Sequence, residues 1–402
     1  MTDPAPGGVE ILQLPFDRIE EFVRAASVPF SFDPDADIIE SSKNWDQARV
    51  IAAFEEDRIV GTAATFEYPV TVPGGAQLVS SGLTFVTVLP SHRRRGVLTA
   101  MMGRLRDDGR SRGEPLASLW ASETMIYGRY GFGEAVEAVT YRIKRDRAAF
   151  RAPVEPSGRV RLVDVEEALG VLPEFYASLD WVGKFGRDAT HWKSWIMWDP
   201  EFDRSGFTKR RIAVYEEAGS VRGYTFFRTK WSRVRVDELM TQSPEARVAL
   251  YRFLFGIDLM NDIELRAHRV DEPIRWMLED TRALRRHGSE FMWFRLLDLP
   301  ACLTARTYAA AGHVVLEVTD SFAPWNEGRW LLEADRSAAT CTPTDAEPDV
   351  VLDTSQLAAL YMGGRSALTM AGAGLLRGSD EAVRHLDAMF RTSEAPWSPE
   401  SY

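Results

Sequence analysis

Cysteine is nearly absent from this 402-residue sequence, in which Cys302 and Cys341 are the only two. Two cysteines allow at most one disulfide bridge, so a disulfide framework is excluded. The six histidines lack the spacing of a metal site, and we expect no bound metal. A chain so poor in cysteine is typical of a reducing compartment, which favours a cytoplasmic location.

Long hydrophobic runs and net positive charge are also missing. No stretch of about 18 apolar residues is present that could cross a membrane, and residues 1–8 have neither the basic nor the apolar part of a secretory signal. The 59 acidic residues outnumber the 48 basic ones, which leaves a formal charge of −11. This charge argues against nucleic acid or an anionic membrane as the main partner. It is compatible with a small cationic substrate, as it is with many acidic soluble proteins.

The length predicts more than one domain, because a domain typically has about 100–200 residues. Hydrophobic residues make up 45% of the chain, enough for a core in each domain. Residues 152–158 contain two prolines and a glycine and are typical of a linker. A further unit opens at Asp298. We therefore expect three domains, at residues 1–150, 151–297 and 298–402.

Hydrophobic patterns in the first domain predict an α/β fold. Residues 9–27 have helical spacing, and two strands at 49–54 and 59–66 form a hairpin around an acidic turn. A strand at 79–89 is apolar on both faces, as expected for a fully buried strand, and ends at Pro90. After it the pattern predicts a helix from Gly96, a strand at 116–121, a short helix and turn at 125–133, and a closing strand at 135–143.

The second domain repeats part of this pattern. Alternating runs at 211–215 and 221–227 flank another acidic turn, so we expect a second α/β unit of the same kind. It has no basic glycine turn, and we expect it to bind no cofactor. Four tryptophans within 181–198 favour a core or a subunit interface over a sugar-stacking face. The third domain combines strands with two late helices, near 355–362 and 379–391.

A basic turn precedes the helix of the first domain. Arg93, Arg94 and Arg95 lead into Gly96, and the helix then begins with Val97, Leu98 and Thr99. Backbone N–H groups and the dipole at a helix amino end favour a phosphate, and glycine lets the backbone approach it closely. The alternative is that three arginines at a helix start are only a solvated face. The turn resembles motif A of the GNAT acetyltransferases, except that Leu98 stands where glycine or alanine is usual.

Residues on either side of the turn fit the same kind of site. In the GNAT fold the preceding strand offers backbone groups to the pantetheine arm, and Val86, Thr87 and Val88 lie at that distance. Ser122 and Glu123 follow the next strand and would flank a V-shaped slot. Tyr127 stands where these enzymes place an acid that protonates the departing thiolate. Tyr130 is a competitor, and either tyrosine could instead be a packed structural residue.

Across its whole length the sequence resembles the Eis (enhanced intracellular survival) family of GNAT proteins. The segments that carry the resemblance occur in the same order and at similar spacing: GLTFVTV (82–88), HRRRG (92–96), ASE (121–123), IYGRYGFG (126–133), IDLM (257–260), CTPTDA (341–346) and LYMGG (360–364). The resemblance implies α/β architecture with mixed sheets, namely tandem GNAT domains and a C-terminal sterol-carrier-protein-like α/β domain. It also implies acetyl-CoA as co-substrate, acetylation of aminoglycoside amines, and assembly as a hexamer.

Three further site residues come from the resemblance. In the family the terminal carboxylate enters the active site of the N-terminal domain and acts as general base, and here Tyr402 carries it. Phe85 matches an aromatic position that faces the substrate pocket, and Glu400 would add negative charge near the base. Residues 28–33 do not reproduce the acidic–aromatic pair of the family.

The sequence therefore predicts an acetyl-CoA-dependent N-acetyltransferase acting by direct attack of an amine on the thioester. An aminoglycoside-like polycation is the expected acceptor. The alternatives are a lysine or N-terminus of a protein or peptide, and a non-catalytic lipid carrier built on the C-terminal domain.

Overall fold

The computed structural model describes residues 8–34, 36–151 and 155–400. Its strands are β1 (Val9–Gln13), β2 (Val50–Glu55), β3 (Arg58–Thr71), β4 (Gln77–Val88), β5 (Leu116–Trp120), β6 (Gly133–Lys144), β7 (Arg159–Val163), β8 (Arg211–Glu217), β9 (Ser220–Lys230), β10 (Arg233–Thr241), β11 (Asp262–His268), β12 (Arg285–Leu296), β13 (Gly312–Thr319), β14 (Gly328–Ala334), β15 (Ala339–Pro343), β16 (Val350–Asp353) and β17 (Arg377–Gly378). Its α-helices are α1 (Ile19–Phe30), α2 (Ala36–Ser42), α3 (Val97–Ser111), α4 (Thr124–Tyr127), α5 (Val165–Ala177), α6 (Ala189–His191), α7 (Pro244–Phe255), α8 (Ile274–Met277), α9 (Leu299–Ala305), α10 (Thr354–Tyr361), α11 (Ala367–Gly372) and α12 (Asp380–Phe390).

The chain forms two compact units that interleave along the sequence. The first unit consists of Met1–Val136, Met292–Ser393 and Glu400–Tyr402, and the second of Glu137–Phe291 and Glu394–Pro399. The division passes through strands β6 and β12. The three domains expected from the sequence are continuous segments of the chain, whereas these two units are not. The expected domain boundaries stay a prediction.

The larger sheet of the first unit has the order β1-β2-β3-β4-β5, followed by the carboxyl half of β12. Strands β2 and β3 are antiparallel, which confirms the predicted hairpin, and β4 and β5 are parallel. Parallel neighbours need a crossover, and helix α3 supplies it. Its buried side chains Val97, Met101 and Leu105 recur at helical spacing and pack into the core beneath the sheet.

The helix predicted for residues 9–27 is only half present, and the first part of that prediction is wrong. Residues 9–13 form β1, which pairs antiparallel with β2, and α1 begins at Ile19. Strand β1 lies at the edge of the sheet, and only Val9 among its residues is buried. An edge strand with one buried side chain shows no clear two-residue alternation of apolar residues. The helical spacing of α1 was therefore extended over residues 9–13 in the prediction.

The smaller sheet of the first unit has the order β15-β14-β13-β16-β17. Helix α10 follows β16 directly and is capped by Asp353, whose side chain accepts from the Ser355 and Gln356 backbone N–H groups. Helices α10 and α12 confirm the two predicted late helices.

The second unit repeats the strand–helix order of the first. Strands β7, β8, β9, β10 and β11 are neighbours in that order, with β10 and β11 parallel and joined by α7. Strands β8 and β9 form the antiparallel pair that the alternating runs predicted. Trp181 and Trp192 are buried and pack around Tyr176, which confirms a core position for these two tryptophans.

Candidate active site

The amino end of α3 is free of a side-chain cap. Gly96 precedes the first helical residue with a φ of +79°, a left-handed conformation in which glycine carries no steric penalty. No side chain caps this end, so the first N–H groups of the helix are available to a ligand. Arg93, Arg94 and Thr99 are exposed beside it, Leu98 is half-buried, and Val97 is buried in the core.

The third arginine of the turn, Arg95, pairs with a carboxylate, and its role in cofactor binding stays a prediction. Arg95 Nη2 lies 2.5 Å from Glu55 Oε1 at the end of β2, and His92 Nε2 lies 2.8 Å from Glu55 Oε2. The hydrogen bonds from His92 and Arg95 hold the pKa of the Glu55 carboxyl below its usual value. Arg95 and His92 therefore fasten the turn to the sheet. Sequence reasoning missed Glu55, because it precedes the turn by about forty residues and its own surroundings indicate only a hairpin turn.

A β-bulge shapes β4 just before the turn. Thr62 of β3 pairs with Thr87 and Ala64 pairs with Thr84, so Phe85 and Val86 together face the single residue between them. Phe85 has a φ of +51°, which is rare for a bulky residue. Thr62 Oγ1 donates to the Phe85 carbonyl oxygen at 2.8 Å and lies 2.6 Å from the Thr87 hydroxyl. The bulge is thus held by side-chain hydrogen bonds, and it turns backbone groups away from the regular ladder.

Strands β4 and β5 are paired over only part of their length. Their parallel register runs from Ser80 opposite Leu116 to Leu83 opposite Leu119. Strand β4 continues to Val88, whereas β5 ends at Trp120. Val86 and Val88 in the unpaired part are half-buried and Thr87 is buried. Ser122 and Glu123, which follow β5, are exposed.

Two tyrosines lie beyond the end of β5. Tyr127 ends helix α4, is 6% exposed, and packs edge-on against Phe132 with 6.1 Å between ring centroids. Burial raises the pKa of its hydroxyl, and a hydrogen bond with Ser122 opposes that shift. Tyr130 is 2% exposed, and its hydroxyl lies 3.1 Å from Thr99 Oγ1 in the first turn of α3.

A cluster of aromatic side chains surrounds Phe85, and we call it the aromatic wall. The Trp45 ring centroid lies 4.9 Å from that of Phe85, and the Phe30 centroid lies 6.2 Å from it. Phe66 lies 5.6 Å from Trp45 in an edge-on arrangement. Sequence reasoning found Phe85 but missed Trp45, because nothing in the local pattern around α2 shows that Trp45 folds back onto β4.

The last residues of the chain divide between the two units. Residues 394–399 belong to the second unit, where Trp397 is 4% exposed. Glu400 belongs to the first unit and is 1% exposed, so this carboxyl group is buried. Tyr402, the predicted general base, lies outside the described residues.

Neither a metal-ligand cluster nor a helix fit to span a membrane occurs among the described residues. Across 8–34, 36–151 and 155–400, no group of three or more His, Cys, Asp or Glu side chains is placed to hold a metal ion. Over the same residues, none of the helices combines the length and the apolar character that a membrane span requires.

Family models match three parts of the chain. Acetyltransferase (GNAT) domains match residues 11–135 and 183–296, and a sterol carrier protein domain matches residues 299–399. The chain is therefore an acetyltransferase with two GNAT domains and a C-terminal sterol carrier domain, which confirms the predicted fold class.

Relatives and solved structures agree with this class. An uncharacterized N-acetyltransferase of Streptomyces avermitilis is 39% identical over 366 residues, 88% of this chain and 89% of the relative. The N-acetyltransferase Eis of Mycobacterium tuberculosis is 35% identical over 356 residues, 84% of each chain. The crystal structure of Eis1 from Mycobacterium abscessus superposes with a TM-score of 0.86 at 30% identity, over 98% of this chain and 100% of that one. The chain belongs to the Eis family of N-acetyltransferases, as its sequence motifs indicated.

Proposed function

We propose that the first unit transfers an acetyl group from acetyl-CoA to an amine of an aminoglycoside-like polycation by direct attack. The observation that carries the proposal is the uncapped amino end of α3, which follows the bulge at Phe85 and Val86. An anion-binding helix end next to a strand with displaced backbone groups suits a phosphate-bearing thioester.

The residues present fit acetyl-CoA. The N–H groups that open α3, after Gly96, and the exposed Arg93 and Arg94 would hold its phosphates. The backbone of Val86, Thr87 and Val88 would pair with the pantetheine arm, and Ser122 and Glu123 would flank it. When bound, acetyl-CoA supplies an activated acyl carbon for the attacking amine.

The corresponding helix end of the second unit is unsuited to that ligand. Helix α7 begins with the Ser243 side chain accepting from the Ala246 N–H, and Glu245 lies in its first turn. The cap occupies one N–H group, and the carboxylate repels a phosphate. We therefore propose one acetyl-CoA site in each chain, in the first unit.

Tyr127 is the proposed proton donor. Because burial raises its pKa, its hydroxyl remains protonated at neutral pH and can give a proton to the departing thiolate. Backbone N–H groups of the bulged strand, at Val86 to Val88, are the proposed donors to the oxygen that becomes negative during transfer.

The proposed base is the terminal carboxylate of Tyr402. A free α-carboxyl has a pKa of about 3.3–3.7 and is a weak base at neutral pH. Burial raises such a pKa, and a water molecule can relay the proton. The ordered segment that ends in the buried Glu400 supports a terminal carboxylate held at a defined place.

The acceptor is proposed from charge and aromatic surface together. The aromatic wall offers ring faces to an ammonium group, a contact worth about 0.5–2 kcal/mol. Glu400 and the formal charge of −11 add attraction for a polycation.

We also propose a cytoplasmic hexamer. The two free, buried cysteines support a reducing compartment, and light scattering of the purified protein tests the assembly.

The experiment is release of free CoA from acetyl-CoA in the presence of an aminoglycoside panel, with a lysine-containing peptide in parallel. Amine-dependent release, with the acetylated aminoglycoside found by mass spectrometry, is the expected result. Release with the peptide alone would replace the proposed acceptor by a protein or peptide lysine. No amine-dependent release with either would overturn the proposed reaction.

A further inference from the structure

The C-terminal segment carries one large anchor. The Trp397 ring packs beside two rings of the second unit. Its centroid lies 5.7 Å from that of Trp181 and 6.4 Å from that of His268. The side chain is 4% exposed, so almost its whole aromatic surface is removed from water. Burial of a ring this large supplies more than the ordering of one side chain costs.

Every polar group of Trp397 is hydrogen-bonded within the second unit. Its indole Nε1 donates to the Ala267 carbonyl oxygen at 2.8 Å, and its backbone N–H donates to the Val182 carbonyl oxygen at 2.9 Å. Its own carbonyl oxygen accepts from Trp181 Nε1 at 2.8 Å. A frayed chain end makes no such set of bonds. The three bonds fix both the direction of the backbone and the rotation of the ring.

The pocket that receives Trp397, which we call the socket, is formed in part by the backbone of Ala267 and Gly183 in unusual conformations. Ala267 has a φ of +53°, and the pairing of β11 with β6 shifts between Leu265 and His268. Gly183 has a φ of +88°, and a Cβ atom at that position would lie 2.8 Å from the Trp397 carbonyl oxygen. A left-handed alanine costs of order 1 kcal/mol, so the surrounding contacts must hold it in place.

One hydrogen bond and one ion pair hold the segment ahead of the ring. Asp271 Oδ2 accepts from the Ala395 backbone N–H at 3.0 Å. Arg269 lies 3.1 Å from the Glu394 carboxylate and 3.0 Å from Asp271. The segment is therefore held at its start by charges and at its centre by Trp397.

We propose that the second unit serves as a receptor for the C-terminal segment, with Trp397 as the positioning residue for the chain end. The inference rests on the proposed role of the Tyr402 carboxylate. Tyr402 is the fifth residue after Trp397, and five residues reach at most about 18 Å when fully extended. With Trp397 fixed, this short tether limits the volume open to the proposed base. Without the Trp397 anchor, the whole segment becomes flexible, and the effective concentration of the base falls.

The test compares Trp397→Ala with deletion of Tyr402 and with the double variant, in the full-length protein. Each single change is expected to lower kcat by about 100-fold, the contribution of a positioned general base, with the KM for acetyl-CoA little changed. Deletion of Tyr402 moves the terminal carboxylate back by one residue, to Ser401. The double variant should lose no more than the deletion alone, because both changes displace the same base from its proposed position. A purely structural role would instead make the two losses multiply. Trp397→Phe, which keeps a ring but loses the bond to Ala267, should recover part of the activity.

Trp276→Ala is the matched control, because this tryptophan of the second unit is 68% exposed. It should leave kcat unchanged. Hydrogen exchange of the peptide containing residues 394–400 supplies a readout independent of activity, and Trp397→Ala should raise its exchange at least tenfold. If Trp397→Ala fails to fold, Trp181→Phe, which removes the donor to the Trp397 carbonyl and part of the ring beside it, is measured in the same way.

The outcomes separate the two proposals. Full activity after deletion of Tyr402 would overturn the proposed base. The deletion variant could be inactive while Trp397→Ala keeps full activity or leaves the hydrogen exchange of the segment unchanged. That result would overturn the receptor role alone.

Discussion

Replacement of Tyr127 by phenylalanine tests the proposed proton donor. The change removes one hydroxyl and keeps the ring, so the edge-on contact with Phe132 is retained. Without the donor the thiolate must leave unprotonated, and general acid catalysis is worth about 100-fold or more. We expect kcat to fall by about 100-fold, which corresponds to about 2.7 kcal/mol of activation free energy.

The structural cost of this replacement is small. Tyr127 loses its hydrogen bond with Ser122, and one neutral hydrogen bond contributes about 1 kcal/mol to stability. The free energy of unfolding should therefore drop by no more than that amount, measured by urea denaturation. A fall in kcat without unfolding assigns the loss to chemistry and not to the fold.

The pH dependence follows from the direction of the pKa shift. Burial raises the pKa of Tyr127 above its ordinary value of 10.0, so the protonated form persists through the whole neutral and mildly alkaline range. Any loss of activity below pH 10 should then come from the titration of another group. If wild-type kcat declines at alkaline pH, Tyr127→Phe should show the same decline.

Tyr130→Phe is the matched control for the assay of free CoA release. Its hydroxyl contacts Thr99, and its removal should lower kcat by less than about fivefold, the cost of one hydrogen bond. Full activity of Tyr127→Phe would refute the assignment. A 100-fold loss in Tyr130→Phe alone would transfer the role to Tyr130.

Three further predictions concern the turn, the fold and the C-terminal segment. Arg94→Glu should raise the KM for acetyl-CoA by about tenfold at low salt with little change in kcat, and less at high salt, because the exposed charge acts through screened attraction. Gly131→Ala should lower the free energy of unfolding by about 3 kcal/mol or more, because its φ is +78° and the added Cβ would overlap Arg295. Gly128→Ala, whose Cβ meets nothing within 4 Å, is its control in the same urea titration. Asp271→Asn should lower the urea midpoint at pH 7. Burial raises the pKa of Asp271, but its hydrogen bonds outweigh burial and hold that pKa below 3.8, so the difference should fade as pH falls below 3.8.

Local patterns predicted most of the elements around the site. The hairpin of β2 and β3, the buried strand β4 and helix α3 each extend over enough residues to show their period. The motif at Gly96 was recognisable because three arginines and a glycine before a helical pattern suit phosphate binding.

Features that depend on distant contacts were not predictable. The edge strand β1 buries one side chain and shows no period. The bulge at Phe85 places a bulky residue at positive φ, which the sequence disfavours and the hydrogen bonds of Thr62 hold in place. Glu55 binds the turn, but only the pairing of the strands brings it there.

The place where the C-terminal segment binds was also not predictable from the sequence. Nothing in the local sequence identifies the second unit as the place where this segment is anchored. The socket uses the backbone of Ala267 and Gly183 more than any side-chain motif, and backbone conformation of this kind has no signature in the sequence.

Calorimetric titration of the full-length protein with acetyl-CoA tests the central claim most directly. One binding site in each chain, lost when Gly96 is replaced by valine, is the predicted result, because α3 has an uncapped amino end beside the exposed Arg93 and Arg94, whereas α7 of the second unit is capped by Ser243. Two sites in each chain, or a single site that survives this replacement unchanged, would contradict the assignment of acetyl transfer to the first unit.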